Sequence, residues 1–230
     1  FGEIADTHND NLILYGNLYG GSAFGNVNTN ASNTTTVNIY NGTIEAPFID
    51  SEHPQNNVYG NVFGGGLGQK ADGVNPSIEA MVYGVVQVNI GDETSKKGKA
   101  TLVHCNVFGC NNQNGSPQDD VFVDVYNTNH TALDEANYFN SDRTYAIFQV
   151  FGGGNKAHYL PGGISNILTT SDKKAHVTVH DCDNTIQYVY GGSNAADAVG
   201  VVTIIEGGRF SEIYGGGNGR ETAADIGLES

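Results

Sequence analysis

A motif of one aliphatic residue, one aromatic residue and one glycine recurs along the chain and constrains its fold more than any other feature. The six copies of this aromatic–glycine motif are Leu18-Tyr19-Gly20, Val62-Phe63-Gly64, Val107-Phe108-Gly109, Val150-Phe151-Gly152, Val189-Tyr190-Gly191 and Ile213-Tyr214-Gly215. Successive glycines are 44, 45, 43, 39 and 24 residues apart. A recurring unit of this length is typical of repeat proteins. Because the copies run from end to end, we expect residues 1–230 to form one domain, and we expect it to be a fragment of a longer repeat protein.

A second motif lies between these copies and consists of alternating β-branched residues. It is found at Val37-Asn38-Ile39, Val86 to Ile90, Val121 to Val125, Val177-Thr178-Val179 and Val202-Thr203-Ile204. Alternation with a period of two predicts a strand with one buried side. The shortest interval, 24 residues, has room for two or three short strands and tight turns. It matches one coil of a parallel β-solenoid, in which each strand pairs with its counterpart about 4.8 Å away.

The predicted fold is therefore all-β: a single-stranded parallel β-helix, right-handed, with about five to six coils and loop insertions. Composition agrees, since the 230 residues include 32 glycines and no tryptophan. The net charge of -15 makes nucleic acid an unexpected partner, because such binding depends on Lys and Arg contacts. No apolar run approaches the ~20 residues of a membrane-spanning helix, so we expect no membrane span in this sequence.

The aligned motifs predict columns of like residues stacked along the axis. One column holds the aliphatic residue of each motif, and another holds the aromatic residue. A further column is expected four residues before the aromatic, at Tyr15, Tyr59, His104, Ile147, Ile186 and Phe210. Three residues after the motif glycine, four copies carry asparagine, and these predict a structural turn ladder of Asn112, Asn155, Asn194 and Asn218. The glycines themselves are expected to permit a positive φ at the turns.

Three cysteines, Cys105, Cys110 and Cys182, give no disulfide framework. Cys105 and Cys110 stand where sibling repeats have glycine. We expect them to be unbridged, because five residues of mostly extended chain exceed the ~7 Å between Cα atoms that a disulfide permits.

The repeats also carry a family resemblance. Val189-Tyr190-Gly191-Gly192-Ser193-Asn194 and Ile213-Tyr214-Gly215-Gly216-Gly217-Asn218 alternate with Val202-Thr203-Ile204-Ile205-Glu206-Gly207-Gly208. These segments resemble the repeats of adhesin-like, secreted or surface-exposed parallel β-helix proteins of gut Bacteroides-type bacteria. The resemblance covers nearly the whole chain and implies an extracellular or cell-surface location. It carries over no catalytic motif, and the long insertions of the first four repeats depart from the minimal repeat.

The resulting functional hypothesis is an adhesin-like β-solenoid with a structural or binding role and glycan as the candidate ligand. The alternative is a carbohydrate-active enzyme, either a polysaccharide lyase or a glycoside hydrolase, on the same scaffold. A structural filament or coat component is a further alternative. No carboxylate pair stands out in the sequence, so no catalytic residue is assigned. Candidate partners are a glycan or another cell-surface ligand, further repeats of the parent chain, or a second copy associating end to end.

Insertions indicate where a ligand would bind. The segment after the alternating motif is enlarged in the first three repeats, at residues 45–57, 92–101 and 128–144. We expect these loops to leave the coils at one point and to form a continuous patch, since loops on a rigid scaffold often carry binding residues. The candidate ligand-binding residues in this patch are Phe48, Asp50, Asp134, Glu135, Tyr138, Phe139 and Asp142.

No metal site or cofactor is assigned. Calcium is the candidate ion, because Asp119, Asp120 and the N-terminal Asp6, Asp10 and Asn11 could supply oxygen ligands, although no run has the spacing of an EF-hand. His176 and His180 also flank a strand position, but about 13 Å of extended chain separates them, too far for one ion to bridge.

Overall fold

The computed structural model describes residues 13–45, 60–92, 101–128, 145–162, 172–181 and 184–219, with backbone alone at 101, 102 and 104. Within these ranges the chain forms strands and turns and no helix, so no described helix could cross a membrane. The strands are β1 (Ile13–Tyr15), β2 (Leu18–Tyr19), β3 (Thr35–Ile39), β4 (Gly42–Glu45), β5 (Val62–Phe63), β6 (Val86–Ile90), β7 (Thr101–Phe108), β8 (Val121–Val125), β9 (Ile147–Phe151), β10 (Ala175–Val179), β11 (Thr185–Tyr190), β12 (Val201–Ile205) and β13 (Arg209–Tyr214).

These strands form two sheets in which every strand pair is parallel. The first sheet has the order β1-β4-β7-β9-β11-β13, and β5 pairs with both β2 and β7. The second has the order β3-β6-β8-β10-β12. Each strand thus pairs with its counterpart in the neighbouring repeat. The prediction of an all-β chain with parallel pairing between repeats is confirmed for the described residues.

The alternating motif forms the second sheet, and its inward side chains build the core. In β6, β8 and β10 the first, third and fifth residues are buried and those between are half-buried. Burying such a Val or Ile side chain contributes about 1.5–3 kcal/mol. In β12 the alternating motif pairs with β10 one residue away from the predicted register. Val177 pairs with Thr203, and neither Val202 nor Ile204 is its partner. Ile204 consequently points outward and is 45% exposed.

The aliphatic column of the aromatic–glycine motif is confirmed. Val62 pairs with Val107, Val107 with Val150, and Val150 with Val189. All four side chains are 0% exposed.

The aromatic column is confirmed as a continuous stack of rings. Neighbouring centroids are 4.7–5.0 Å apart, and the ring planes lie within 10° of parallel. The stack runs in the order Tyr19, Phe63, Phe108, Phe151, Tyr190 and Tyr214. Ring spacing therefore equals strand spacing, as expected when equivalent residues of parallel strands face each other.

The column predicted four residues before the aromatic is correct only in the last three repeats, where Ile147, Ile186 and Phe210 pair in sequence. In the first and third repeats it is wrong, and Tyr59 of the second repeat lies outside the described residues. Val103, not His104, pairs with Ile147, because the register shifts between Val103 and Asn106. The observed column runs through Leu14, Ile44, Val103, Ile147, Ile186 and Phe210. A one-residue slip exchanges the two faces of a strand, so the irregularity keeps an aliphatic side chain in the core.

The prediction that the inserted loops leave the coils at one point is also wrong. The second and third insertions precede β7 and β9, respectively. The first insertion follows β4, and β4 pairs with the start of β7. The first loop therefore follows a strand of the first sheet, whereas the other two follow β6 and β8 of the second sheet.

The motif glycines serve a different purpose from the one predicted. The glycines with positive φ lie elsewhere, for example Gly68 and Gly91. In the first five copies, a Cβ on the motif glycine would lie within 3.0 Å of the carbonyl oxygen of the equivalent glycine in the next repeat. Gly64, for example, faces the carbonyl of Gly109. Close backbone approach between repeats, not turn conformation, therefore requires glycine here.

The cysteines behave as predicted where they are described. No disulfide joins Cys105 to Cys110. Cys110 is fully buried, and burial raises the pKa of its thiol well above the ordinary value. Cys182 lies outside the described residues.

A buried charge tests the aliphatic column. We expect Val150→Asp to unfold or fray the middle repeats, because an unpaired buried carboxylate costs far more than the lost methyl groups. The control is Phe148→Asp on the same strand, where the side chain is 41% exposed and the cost should stay near 1 kcal/mol. Thermal unfolding followed by circular dichroism measures both, and equal losses would contradict the inward placement of Val150.

The burial of Tyr159 predicts a loss of stability at alkaline pH. Its side chain is 0% exposed, and its hydroxyl donates to the carbonyl of Asp119 at 3.0 Å. Burial, aided by the nearby Cys110, Asp120 and Asp119, raises the pKa of Tyr159. The unfolded chain ionises near pH 10 while the folded one does not, so the free energy of unfolding should fall as pH rises above about 10.

Tyr159→Phe should make that alkaline decline shallower while costing about 1 kcal/mol at neutral pH through the lost hydrogen bond. Tyr188→Phe, on the sheet surface, is the control. Urea unfolding between about pH 8 and 11 measures the slope, and an unchanged slope in Tyr159→Phe would contradict the assignment.

Candidate functional site

The ligand patch predicted from the insertions lies outside the described residues. This applies to all seven of its candidate residues, Phe48, Asp50, Asp134, Glu135, Tyr138, Phe139 and Asp142. The role of these seven residues in ligand binding stays a prediction, and the site described below is built from other residues.

The four asparagines of the predicted turn ladder are brought together. Asn155 Nδ2 donates to Asn112 Oδ1 at 2.9 Å, Asn194 donates to Asn155 at 2.9 Å, and Asn218 donates to Asn194 at 2.8 Å. Each side chain thus bonds its counterpart one repeat away. These amides stabilise the stack and are engaged with one another.

A second asparagine ladder, which the sequence reasoning missed, joins the first three repeats. Asn61 donates to Asn17 Oδ1 from both its backbone N–H and its Nδ2, each at 3.1 Å. Asn106 repeats the arrangement on Asn61 Oδ1, at 3.1 and 3.0 Å. All three residues directly precede the aliphatic residue of the motif, and this fixed offset is the signal that would have revealed them.

The chemically richest surface is the outer face of the second sheet. It is formed by outward side chains of the strands and by the residue that directly follows them. We call this set the outer face: Asn38, Gln87, Asn89, Phe122, Asp124, Tyr126, His176, His180 and Glu206. Tyr126, His180 and Glu206 occupy equivalent places in three successive repeats, because their backbone N–H groups bond the last strand residue of the preceding repeat.

His180 is the centre of this face. Its Nε2 lies 2.8 Å from Asp124 Oδ1 and its Nδ1 lies 3.0 Å from Glu206 Oε2. A ring with a proton on each nitrogen donates to both carboxylates. The ring also stacks on Tyr126, with centroids 4.5 Å apart. His180 therefore links the third, fourth and fifth strands of the second sheet.

Amides continue the network to the other edge of the sheet. Gln87 Nε2 donates to Asp124 Oδ2 at 2.6 Å and to Asn89 Oδ1 at 2.8 Å. Asn89 Nδ2 in turn donates to Asn38 Oδ1 at 2.8 Å. One chain of polar contacts thus crosses all five strands, and most of its members are half-buried.

His176 forms the second ring pair of the face, stacked on Phe122 with centroids 4.6 Å apart. Burial lowers the pKa of His176 below its ordinary value, and the nearby charge of Lys174 acts in the same direction, while Asp120 and Asp124 oppose it. His176 and His180 therefore have separate partners, and the structure does not bring them together.

The candidate calcium ligands Asp119 and Asp120 hold a lysine. Lys173 Nζ lies 2.5 Å from Asp119 Oδ1 and 3.4 Å from Asp120 Oδ2. Burial acts to raise the pKa of Asp119, but the hydrogen bond and charge of Lys173 outweigh it, so this pKa lies below the ordinary value. The bond to Asp119 likewise raises the pKa of Lys173. The ammonium group takes the place that a cation would occupy beside these carboxylates.

Across the described ranges, no group of three or more His, Cys, Asp or Glu side chains is arranged to hold a metal ion. Asp6, Asp10 and Asn11 lie outside those ranges. The described part of the chain therefore supplies no group of ligands for the predicted calcium ion.

A small pocket lies away from both sheets, in the turns between them. It measures about 190 Å³ and its lining includes Glu79, Met81, His158 and Leu160. Small-molecule sites typically enclose ~300–1,000 Å³. The pocket is therefore smaller than a typical small-molecule site.

Two members of the outer face, His176 and His180, were candidate metal ligands from the sequence, whereas Asp124, Glu206, Phe122 and Tyr126 were not assigned to a site. These residues alternate with the inward valines or directly follow them. Aligning the outward positions of successive motifs would have placed them side by side.

No family model, no curated protein and no solved structure matches the chain. Its function must therefore be inferred from the geometry of its own residues.

The lowered pKa of His176 gives a testable pH dependence. Below about pH 6.5 the unfolded chain binds a proton that the folded chain resists, so stability should fall as pH falls from about 7.5 to 5. His176→Phe removes the titratable imidazole and keeps an aromatic ring stacked on Phe122. We expect its stability relative to wild type to be greater at the lower pH. Chemical unfolding of both proteins at about pH 7.5 and pH 5 measures this. A stability difference between variant and wild type that is the same at both pH values would contradict the prediction.

Proposed function

We propose that the chain winds as a right-handed, single-stranded parallel β-solenoid of about five to six coils with loop insertions. Two parallel sheets support this, since each of the first five repeats contributes strands to both. A third line of contacts supports it as well, in which Val27 and Val82, Val82 and Pro117, and Tyr159 and Ala198 form parallel bridges between repeats. Right-handedness follows from the strong preference of connections between parallel strands.

We infer that this solenoid is part of an adhesin-like protein at the cell surface or outside the cell, with a structural and binding role. The residues that repeat most strictly, the aromatic rings and the motif glycines, are used for stacking. The residues that vary between repeats form the outer face, as expected of a rigid scaffold with variable side chains displayed on it.

The ligand class that the outer face suits is a glycan. The observation that carries this proposal is the pair of ring stacks, Phe122 with His176 and Tyr126 with His180, beside the carboxylates of Asp124 and Glu206. Aromatic surface with a few fixed polar groups is the usual composition of small-ligand sites. Rings can cover the apolar face of a sugar while carboxylates accept bonds from its hydroxyls. The net charge of -15 favours neutral over acidic glycans.

A glycan array tests this proposal. Tyr126→Ala should lower binding at least tenfold, and Phe148→Ala, an exposed aromatic on the first sheet, should leave it unchanged. A third variant, Tyr138→Ala with Phe139→Ala, tests the loop patch. Loss of glycan binding in this double variant alone would indicate that the glycan binds the loops. Equal glycan binding by all variants would exclude both surfaces. Circular dichroism confirms folding in each case.

An enzyme on the same scaffold is the second candidate, because Asp124 and Glu206 both face one imidazole and hydrolysis of glycosides uses two carboxylates. Incubating any bound glycan with the protein and measuring new reducing ends separates the two. Binding without turnover supports the adhesin-like role. Turnover by wild type that is lost in Glu206→Gln would instead support a glycoside hydrolase.

A further inference from the structure

The pocket in the turns between the two sheets has a lining whose chemistry points to one class of ligand. Its lining residues come from three successive repeats and include Glu79, Met81, Gly115, Ser116, His158 and Leu160. The smallest of these, Gly115 and Ser116, belong to the middle repeat. The larger side chains of the repeats before and after them therefore form the walls of a depression.

Hydrogen bonds between repeats hold these walls in place. Leu160 N–H donates to Ser116 Oγ at 2.9 Å, and Val82 N–H donates to the Ser116 carbonyl at 3.4 Å. Gly115 has a φ of +88°, and a Cβ at this position would lie 2.5 Å from the backbone nitrogen of Ala80. The backbones of three repeats thus determine the shape of the pocket.

Apolar groups form most of the lining. Met81 is half-buried, and Leu160 is buried. The volume of about 190 Å³ is larger than the ~150 Å³ of an apolar protein cavity that admits benzene. An aliphatic chain of a few carbon atoms therefore fits against Met81 and Leu160.

Glu79 supplies the charged group of the lining. Within the described ranges no side chain forms an ion pair or hydrogen bond with its carboxylate, and none of the lining residues there is Lys or Arg. The Nδ1 atom of His158 accepts the backbone N–H of Asp197 at 3.1 Å and lies 3.3 Å from Asp197 Oδ2. A nitrogen that accepts an N–H carries no proton, so the imidazole adds no positive charge in this arrangement.

We propose that this pocket binds a primary alkylammonium group, either a small free amine or the lysine side chain of a partner polypeptide. The ammonium group pairs with the carboxylate of Glu79, and its carbon chain packs against Met81 and Leu160. A lysine side chain has this character, because its methylene stem is apolar and its charge lies at the tip. The net charge of -15 favours a cationic ligand in general. The proposal does not depend on glycan binding by the outer face.

Nuclear magnetic resonance of the 230-residue chain tests this proposal through one reporter. Met81 is the single methionine of the sequence, so ¹³C labelling of the methionine methyl group gives one signal from the pocket lining. Titration with n-butylammonium should shift this signal to saturation, with the weak affinity expected of so small a ligand. Butanol has the same shape without the charge and should bind about fivefold more weakly. Added salt should weaken the binding of n-butylammonium and leave that of butanol unchanged.

A matched pair of variants tests the role of the carboxylate. Glu79→Gln keeps the size of the side chain and removes its charge, so n-butylammonium should bind about fivefold more weakly than to wild type. Glu212→Gln removes one charge from strand β13 instead and should leave binding unchanged. Both side chains are exposed, so circular dichroism should show that both variants fold like wild type.

Nα-acetyl-lysine methylamide separates the two sources of the alkylammonium group. Binding as tight as that of n-butylammonium supports a lysine side chain as the ligand, and binding of n-butylammonium alone supports a free amine. A Met81 signal that neither amine shifts overturns the proposal. Equal affinity for n-butylammonium and butanol, or an affinity for n-butylammonium that Glu79→Gln leaves unchanged, overturns it as well.

Discussion

Parallel, in-register pairing between repeats is the constraint on which the rest of this structure depends. It places equivalent residues of successive repeats about one strand spacing apart, and the aromatic rings follow at 4.7–5.0 Å. Equivalent residues of successive repeats must therefore be able to pack against one another. The same proximity brings the carbonyl of one motif glycine against the Cα of the preceding one, which excludes every residue with a Cβ. One repeat cannot bury its apolar side alone, so stability comes from the stack.

Polar side chains obey the same rule in two different ways. Identical amides form the asparagine ladders, where the side-chain N–H of each asparagine donates to the side-chain oxygen of its counterpart in the preceding repeat. On the outer face the residues differ between repeats, and complementary groups meet instead, as when His180 lies between Asp124 and Glu206. The ladders are structural, whereas the mixed face displays aromatic, acidic and imidazole groups that a ligand can contact.

The proposed glycan site uses side chains that project from the outer face of the second sheet, whereas the aromatic rings and the motif glycines hold successive repeats together. Because the outer face runs along the stack, each strand of the second sheet, or the residue directly after it, contributes side chains to it.

The sequence by itself determined the repeat length, the all-β class, the parallel pairing, the aliphatic and aromatic columns and the positions of the four ladder asparagines. These depend on local periodicity, which any alignment of the motifs reveals. Only the tertiary structure decided that Val103 rather than His104 pairs with Ile147, that the first insertion follows β4, and that the motif glycines are required by close approach. It also decided that Asp124, His180 and Glu206 meet. Register and distances between repeats are set by packing across strands that lie 26 to 56 residues apart at this site, and no local pattern contains that information.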